Sequence, residues 1–137
     1  QVGACLAGIA FLKGLGLVHA ISHMVGAEYD THHGLTNAVV LPAVLRFNEP
    51  AIAGKVPAMM RALGQPGSDF DEFYRYVCGL LDQFQIPRTL SELGVTESAA
   101  ETLTIKALKD AAAGTNPRVS DADSLMTVIT EAITVGR

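Results

Sequence analysis

Apolar residues return at helical intervals along nearly the whole chain, and no strand-like alternation persists. From Val2 to Val25 the sequence is almost continuously apolar. This predicts one long helix, apolar on every side and therefore a core helix, with Gly3, Ala7, Ala10 and Gly14 as a small face for close approach. Gly26 to His33 reads as a connector, followed by a second helix over Leu35 to Phe47 that Pro42 kinks or tightens. Pro50 suits the start of a third helix, which carries Ile52, Val56, Met59, Met60 and Leu63 and closes at Gly64. Ser68 with Asp71 signals the start of a fourth helix. Its stripe of Phe70, Phe73, Tyr74, Val77, Leu80, Leu81 and Phe84 faces the core, and Ile86-Pro87 ends it. Thr89 and Glu92 cap a short turn. Thr96 opens a fifth helix reaching Ala113, with Leu103, Ala107, Leu108 and Ala111 inward. Ser120 with Asp123 caps the last helix, whose face is Leu125, Met126, Ile129, Ala132 and Ile133. The expected fold is an all-α bundle of about six main helices, without internal repeats.

Composition narrows the function. The 137 residues fit one helical domain, 1–137, and 49% hydrophobic against 18% charged is a globular balance. A net charge of −4, with ten scattered basic residues, excludes a nucleic-acid surface. Cys5 and Cys78 lie in apolar helical patterns and read as reduced buried thiols of a cytoplasmic protein. The opening apolar run is not a membrane span, because Lys13, His19 and His23 would sit near or past its centre. Nor is it a signal peptide, lacking a basic start and a cleavage site. A core helix needs neighbours on every face, which a chain this short supplies poorly. The sequence therefore reads as part of something larger.

All four histidines, His19, His23, His32 and His33, fall within fifteen positions. His19 and His23 are four apart, so their imidazoles leave one helix face one turn apart. A short connector would bring His33 opposite His19. Neutral imidazoles are ready ligands for Zn²⁺ or Fe²⁺, but this spacing equally suits surface or satisfied core histidines. The apolar surroundings favour a site, since an unpartnered ring there is costly. Asn37, one turn into the following helix, reads as an amide that anchors the connector. Glu28 and Asp30 read as solvated. The constellation looks incomplete, and "GLG" at Gly14–Gly16 is no phosphate loop, because no strand precedes it and no third Gly follows at the needed spacing.

The stretches "LAGIAF" and "GLGLVHAISHMVGAEYDTHHGLTNAVVLPAVLRFN", with "ALKDAAAGTNPRVSD" downstream, resemble the iron-dependent (group III) alcohol dehydrogenases over essentially the whole chain. The match runs through Leu6–Phe11, Leu17-Val18-His19, His23, Gly26, His33-Gly34 and Asn37, then Asp110 and Asn116-Pro117-Arg118. The resemblance implies the helical C-terminal domain of a two-domain enzyme, the N-terminal nucleotide-binding domain lying outside this chain. It implies His19 and His33 as two of the ligands of a catalytic divalent ion, Fe²⁺ or Zn²⁺. It places His23 at the nicotinamide and substrate side of the cleft, as the catalytic and cofactor-binding residue of this half. The family usually has Pro before the His-Gly pair, where this chain has His32; His33 keeps the assignment because it precedes Gly34. The complete enzyme would pass a hydride between a small alcohol or aldehyde substrate and NAD or NADP, the metal polarising the oxygen. The isolated chain would be inactive. Two other readings stand beside this one: a helical interaction domain that keeps the scaffold without the chemistry, and a zinc-dependent polyol dehydrogenase relative. An exposed face on the first helix would serve either the other domain or a homo-oligomer.

Overall fold

The computed structural model describes residues 2–137. Among them are α1 (Val2–Phe11), α2 (Leu17–Tyr29), α3 (His33–Ile52), α4 (Val56–Ala62), α5 (Phe70–Gln83), α6 (Ala100–Ala107) and α7 (Ala122–Thr134), with short 3₁₀ turns between and no strand. Six of these span eight residues or more, and α4 has seven. The all-α bundle expected from the periodicity is what forms.

The main core is built by α2, α3, α6 and α7. Leu17, Ile21, Val39, Val40, Leu103, Leu125 and Ile129 are fully buried in it. A smaller cluster of Ile52, Val56, Met60, Phe70 and Tyr74 joins the end of α3 to α4 and α5. No helix among the described residues is long and apolar enough to cross a membrane.

Several boundaries differ from expectation, each for a local reason. The long first helix is two. Gly14 and Gly16 take φ of 100° and 75°, which L-residues rarely adopt, and α1 stops before them. The break lets the chain pass close to Thr115 and Asn116, where a Cβ on Gly14 would collide with the Thr115 side chain. α1 is not a core helix at all: none of its residues is buried, and Leu6, Ile9 and Phe11 stand exposed. Cys5 is exposed with it, and Cys78 is only half-buried, so neither is the buried thiol expected.

α2 extends to Tyr29, leaving only Asp30–His32 as the connector; Asp30 closes the helix in the left-handed region at φ 51°. The expected second helix and the start of the third are one, α3, running through Pro42 and Pro50. The caps of α5 and α7 each lie one residue beyond those expected. Asp69 pairs with Glu72, and Asp121 with Ser124, in reciprocal capping boxes. An Asp carboxylate takes the capping role in each, rather than the preceding serine. Phe84 lies beyond the end of α5 and is exposed, as is Met126 on α7. α6 ends at Ala107, so Ala111 faces outward and Ala112 inward.

A candidate metal centre on α2 and α3

Three of the four histidines meet where α2 crosses the start of α3. The ring centroid of His19 lies 5.2 Å from that of His33 and 5.8 Å from that of His23, and His23 stacks on His33 at 5.5 Å and 15°. His19 and His23 share a face of α2 through their four-residue spacing. His33 reaches them because it is the first residue of α3. His32 points elsewhere: its Nδ1 accepts the Leu35 N–H at 3.3 Å, making it the N-cap of α3. The departure from the usual Pro is thus a change of helix-start chemistry beside the cluster. The ring that reaches His19 belongs to His33.

Each ring has a partner that orients it. The Ser22 hydroxyl lies 3.1 Å from His33 Nδ1 and 3.4 Å from the His33 carbonyl oxygen. A carbonyl only accepts, so the hydroxyl donates to it while Nδ1–H donates to the hydroxyl, leaving His33 Nε2 with a bare lone pair. Ser22 is fully buried, which fixes this arrangement from below. On the other side, Asn37 Nδ2 donates toward His33 Nε2 at 3.0 Å and His19 Nε2 at 3.4 Å. The two Nε2 lone pairs therefore converge on one point. Among the described residues no third His, Cys, Asp or Glu completes a cluster with them.

His23 is held from α6's far end. Its Nδ1 donates to Asp110 Oδ2 at 3.0 Å, and Asp110 Oδ1 accepts the Ala112 N–H at 2.8 Å. Burial opposes ionisation of Asp110, but the Ala112 and His23 hydrogen bonds and the nearby imidazoles outweigh it, so the carboxyl sits below its ordinary range. His19 is also shifted downward, first by burial and then by His33 and His23, with Asp110 pulling weakly the other way. A neutral imidazole is the form that binds a metal.

Sequence reasoning placed His19, His23 and His33 together, as found, but missed their supports. Asn37 does not anchor the connector; Thr36 does, through Thr31 Oγ1 at 2.7 Å and the His32 carbonyl at 3.1 Å. Ser22 had no signal, and Asp110 had only its place in the family resemblance, which said nothing of His23. Asp30 and Glu28 are both exposed, as read, and Glu28 also pairs with Lys106 on α6. Asn116-Pro117-Arg118 ties distant segments of the chain together. Asn116 Oδ1 accepts the Leu17 N–H at 3.2 Å, capping α2 from 99 residues away, and its amide pairs with that of Asn48 at 2.7 and 3.1 Å. Arg118 donates to the Phe47 carbonyl at 2.8 Å. A depression of about 480 Å³ opens beside the start of α2, lined by Lys13, Asn48, Lys55 and Asn116, and contains none of the histidines.

Residues 1–133 match the family described as Fe-containing alcohol dehydrogenase family, C-terminal. The chain belongs to that family. It is 35% identical over 135 residues to the NAD-dependent methanol dehydrogenase of Bacillus methanolicus, covering 93% of this chain and 35% of that protein. It is 31% identical over 130 residues to the NADPH-dependent butanol dehydrogenase of Clostridium saccharobutylicum, covering 88% and 34%. A solved 1,3-propanediol oxidoreductase superposes with a TM-score of 0.81 at 31% identity, over 86% of this chain and 32% of that one. The chain thus spans about a third of the length of the curated relatives it matches, and corresponds to the C-terminal domain of Fe-type alcohol dehydrogenases.

Proposed function

We propose that the chain, as one helical domain over 1–137, is the metal- and substrate-cleft half of an NAD(P)-dependent alcohol dehydrogenase, completed by an N-terminal nucleotide-binding domain. The observation that carries this is the convergence of His19 Nε2 and His33 Nε2 on one point, with Ser22 holding the His33 tautomer from behind. Two bare imidazole nitrogens fit Fe²⁺ or Zn²⁺, and two donors leave room for ligands from elsewhere and for substrate. A ring held by a hydrogen bond on its other nitrogen, as His33 is by Ser22, is the usual support of a metal site.

When bound, the ion supplies Lewis acidity toward an alcohol or carbonyl oxygen. The chain's own groups do the rest. Asp110 keeps the proton of His23 on Nδ1, so His23 Nε2 presents a lone pair beside the two ligands. From there it accepts a proton from the alcohol, or returns one in the reverse direction. Asp110 acts through His23 and is a positioning residue. The stacking of His23 on His33 holds its ring beside the His33 imidazole, where an alcohol bound at the ion would meet it. Exposed Leu6, Ile9 and Phe11 on α1 form an apolar face that suits covering by further polypeptide. Relatives named as NAD-dependent and NADPH-dependent support a nicotinamide cofactor of either kind, and the methanol, butanol and propanediol enzymes support a small alcohol as substrate.

The test is hydride transfer. The chain joined to the N-terminal part of a relative should reduce NAD or NADP with a short primary alcohol, and lose this activity with His19→Ala or His33→Ala. Folded chimeras that transfer hydride equally well without either histidine would contradict the reading. A chimera that folds and binds nucleotide but never turns over would favour the interaction-domain alternative.

A further inference from the structure

We propose that Ser22 is a positioning residue of the metal site, tying both the ring and the main chain of His33 to α2 and so setting how tightly an ion is held; this rests on the metal reading above. Ser22 follows His19 by three residues and lies on the buried side of α2. Its hydroxyl sits 3.1 Å from His33 Nδ1 and 3.4 Å from the His33 carbonyl oxygen. One hydroxyl therefore grips the first residue of α3 at two points, across the meeting of the two helices. Ser22 has no exposed surface, so this grip is on the inward side of the ring, away from solvent. α2 thus supplies one ligand directly, His19, and orients the other.

The contact decides which nitrogen of His33 keeps its lone pair. The hydroxyl has one proton to give, and the carbonyl takes it, so the ring donates from Nδ1 and leaves Nε2 bare. Asn37 Nδ2, 3.0 Å from His33 Nε2, also donates, so the neighbours on both sides of the ring select the same tautomer. Metal affinity follows from that selection, because an imidazole protonated on Nε2 has no lone pair there for an ion. The hydrogen bond behind a ligand also fixes the plane of its ring, and removing such partners typically weakens metal binding. The support behind the neighbouring ring is of another kind. His23 Nδ1 meets the carboxylate of Asp110 at 3.0 Å, whereas His33 meets a neutral hydroxyl. A carboxylate raises the basicity of its ring; the hydroxyl mainly fixes orientation and tautomer.

Zn²⁺ titration of the chain, with long-range ¹H–¹⁵N spectra of its imidazoles at about pH 8, where free imidazole is neutral, tests this. Circular dichroism confirms that each variant keeps its helices. In the parent the His33 proton should be on Nδ1. Ser22→Ala should bind Zn²⁺ about ten- to a hundredfold more weakly, and part of its His33 population should carry the proton on Nε2 instead. Ser22→Thr keeps the hydroxyl and should bind within a few-fold of the parent whenever its spectrum retains the Nδ1 proton. An Nε2 proton in the parent, a tautomer unmoved by Ser22→Ala, or Zn²⁺ binding by that variant as tight as the parent's would each overturn the proposal. If the parent binds below detection, the tautomer of parent and Ser22→Ala decides alone. Binding that ignores both His19→Ala and His33→Ala removes the metal reading itself, whereas binding that needs both histidines but ignores residue 22 removes this inference alone.

Discussion

Helices α1 and α2 come from the same apolar run, separated only by Leu12–Gly16, and their fates are opposite. α1 buries none of its residues, while α2 buries Leu17, Ala20, Ile21, Ser22 and Val25 and carries two of the clustered histidines. Hydrophobicity does not separate them; neighbours do. α2 lies against α3 and α6 and is capped by Asn116, whereas no described element covers Leu6 or Ile9. A polar site can stand on α2 because its other faces are locked, so the imidazoles have few ways to move. α1 has no such constraint and, in this chain, no such task.

The largest effect should come from truncating the two faces in parallel. Leu17→Ala or Ile21→Ala removes a fully buried side chain and should cost about 2–5 kcal/mol. Leu6→Ala or Ile9→Ala should stay within about 0.5 kcal/mol. Denaturant unfolding of the four variants measures this, and equal losses would mean that α1 is packed after all. Next comes the break itself. Gly14→Ala favours helix locally but forces a side chain into φ 100° and against Thr115, so it should destabilise by about 1–3 kcal/mol. Stabilisation instead would show that α1 and α2 join into one helix.

The smallest effect concerns acid. The folded-state pKa of His19 lies below its ordinary 6.5. The unfolded chain therefore takes up this proton first as pH falls, and stability rises with pH across that window. The contribution is full above about pH 6.5 and is lost as pH falls through the lowered folded-state value. Thermal unfolding between pH 7 and 5 should show a decline that is shallower in His19→Gln. An unchanged slope would mean that burial of this imidazole contributes nothing.

Much of the bundle was legible because helical periodicity is local. The stripe on α5 and the face of α7 needed only spacing, and Phe70, Tyr74, Leu125 and Ile129 are buried as expected. The division between α1 and α2 was not legible, since it depends on Gly14 and Gly16 meeting a loop about a hundred residues away. The same holds for the site. His19 and His23 announced themselves by spacing and His33 by the short connector. Asp110 lies 87 residues from His23, and Ser22 looks like any core serine until its hydroxyl is seen against His33. Asn37 was visible as an amide near a helix start, which ordinarily means a backbone partner; here two ring nitrogens take that place.

The most direct test of the central claim is Fe²⁺ and Zn²⁺ binding by the purified chain, measured by elemental analysis and titration, with His19→Ala, His33→Ala and His32→Ala compared. The account predicts one ion per chain, lost in the first two variants and kept in His32→Ala, whose ring caps α3. Equal binding by all four proteins, or loss with His32→Ala alone, would contradict it.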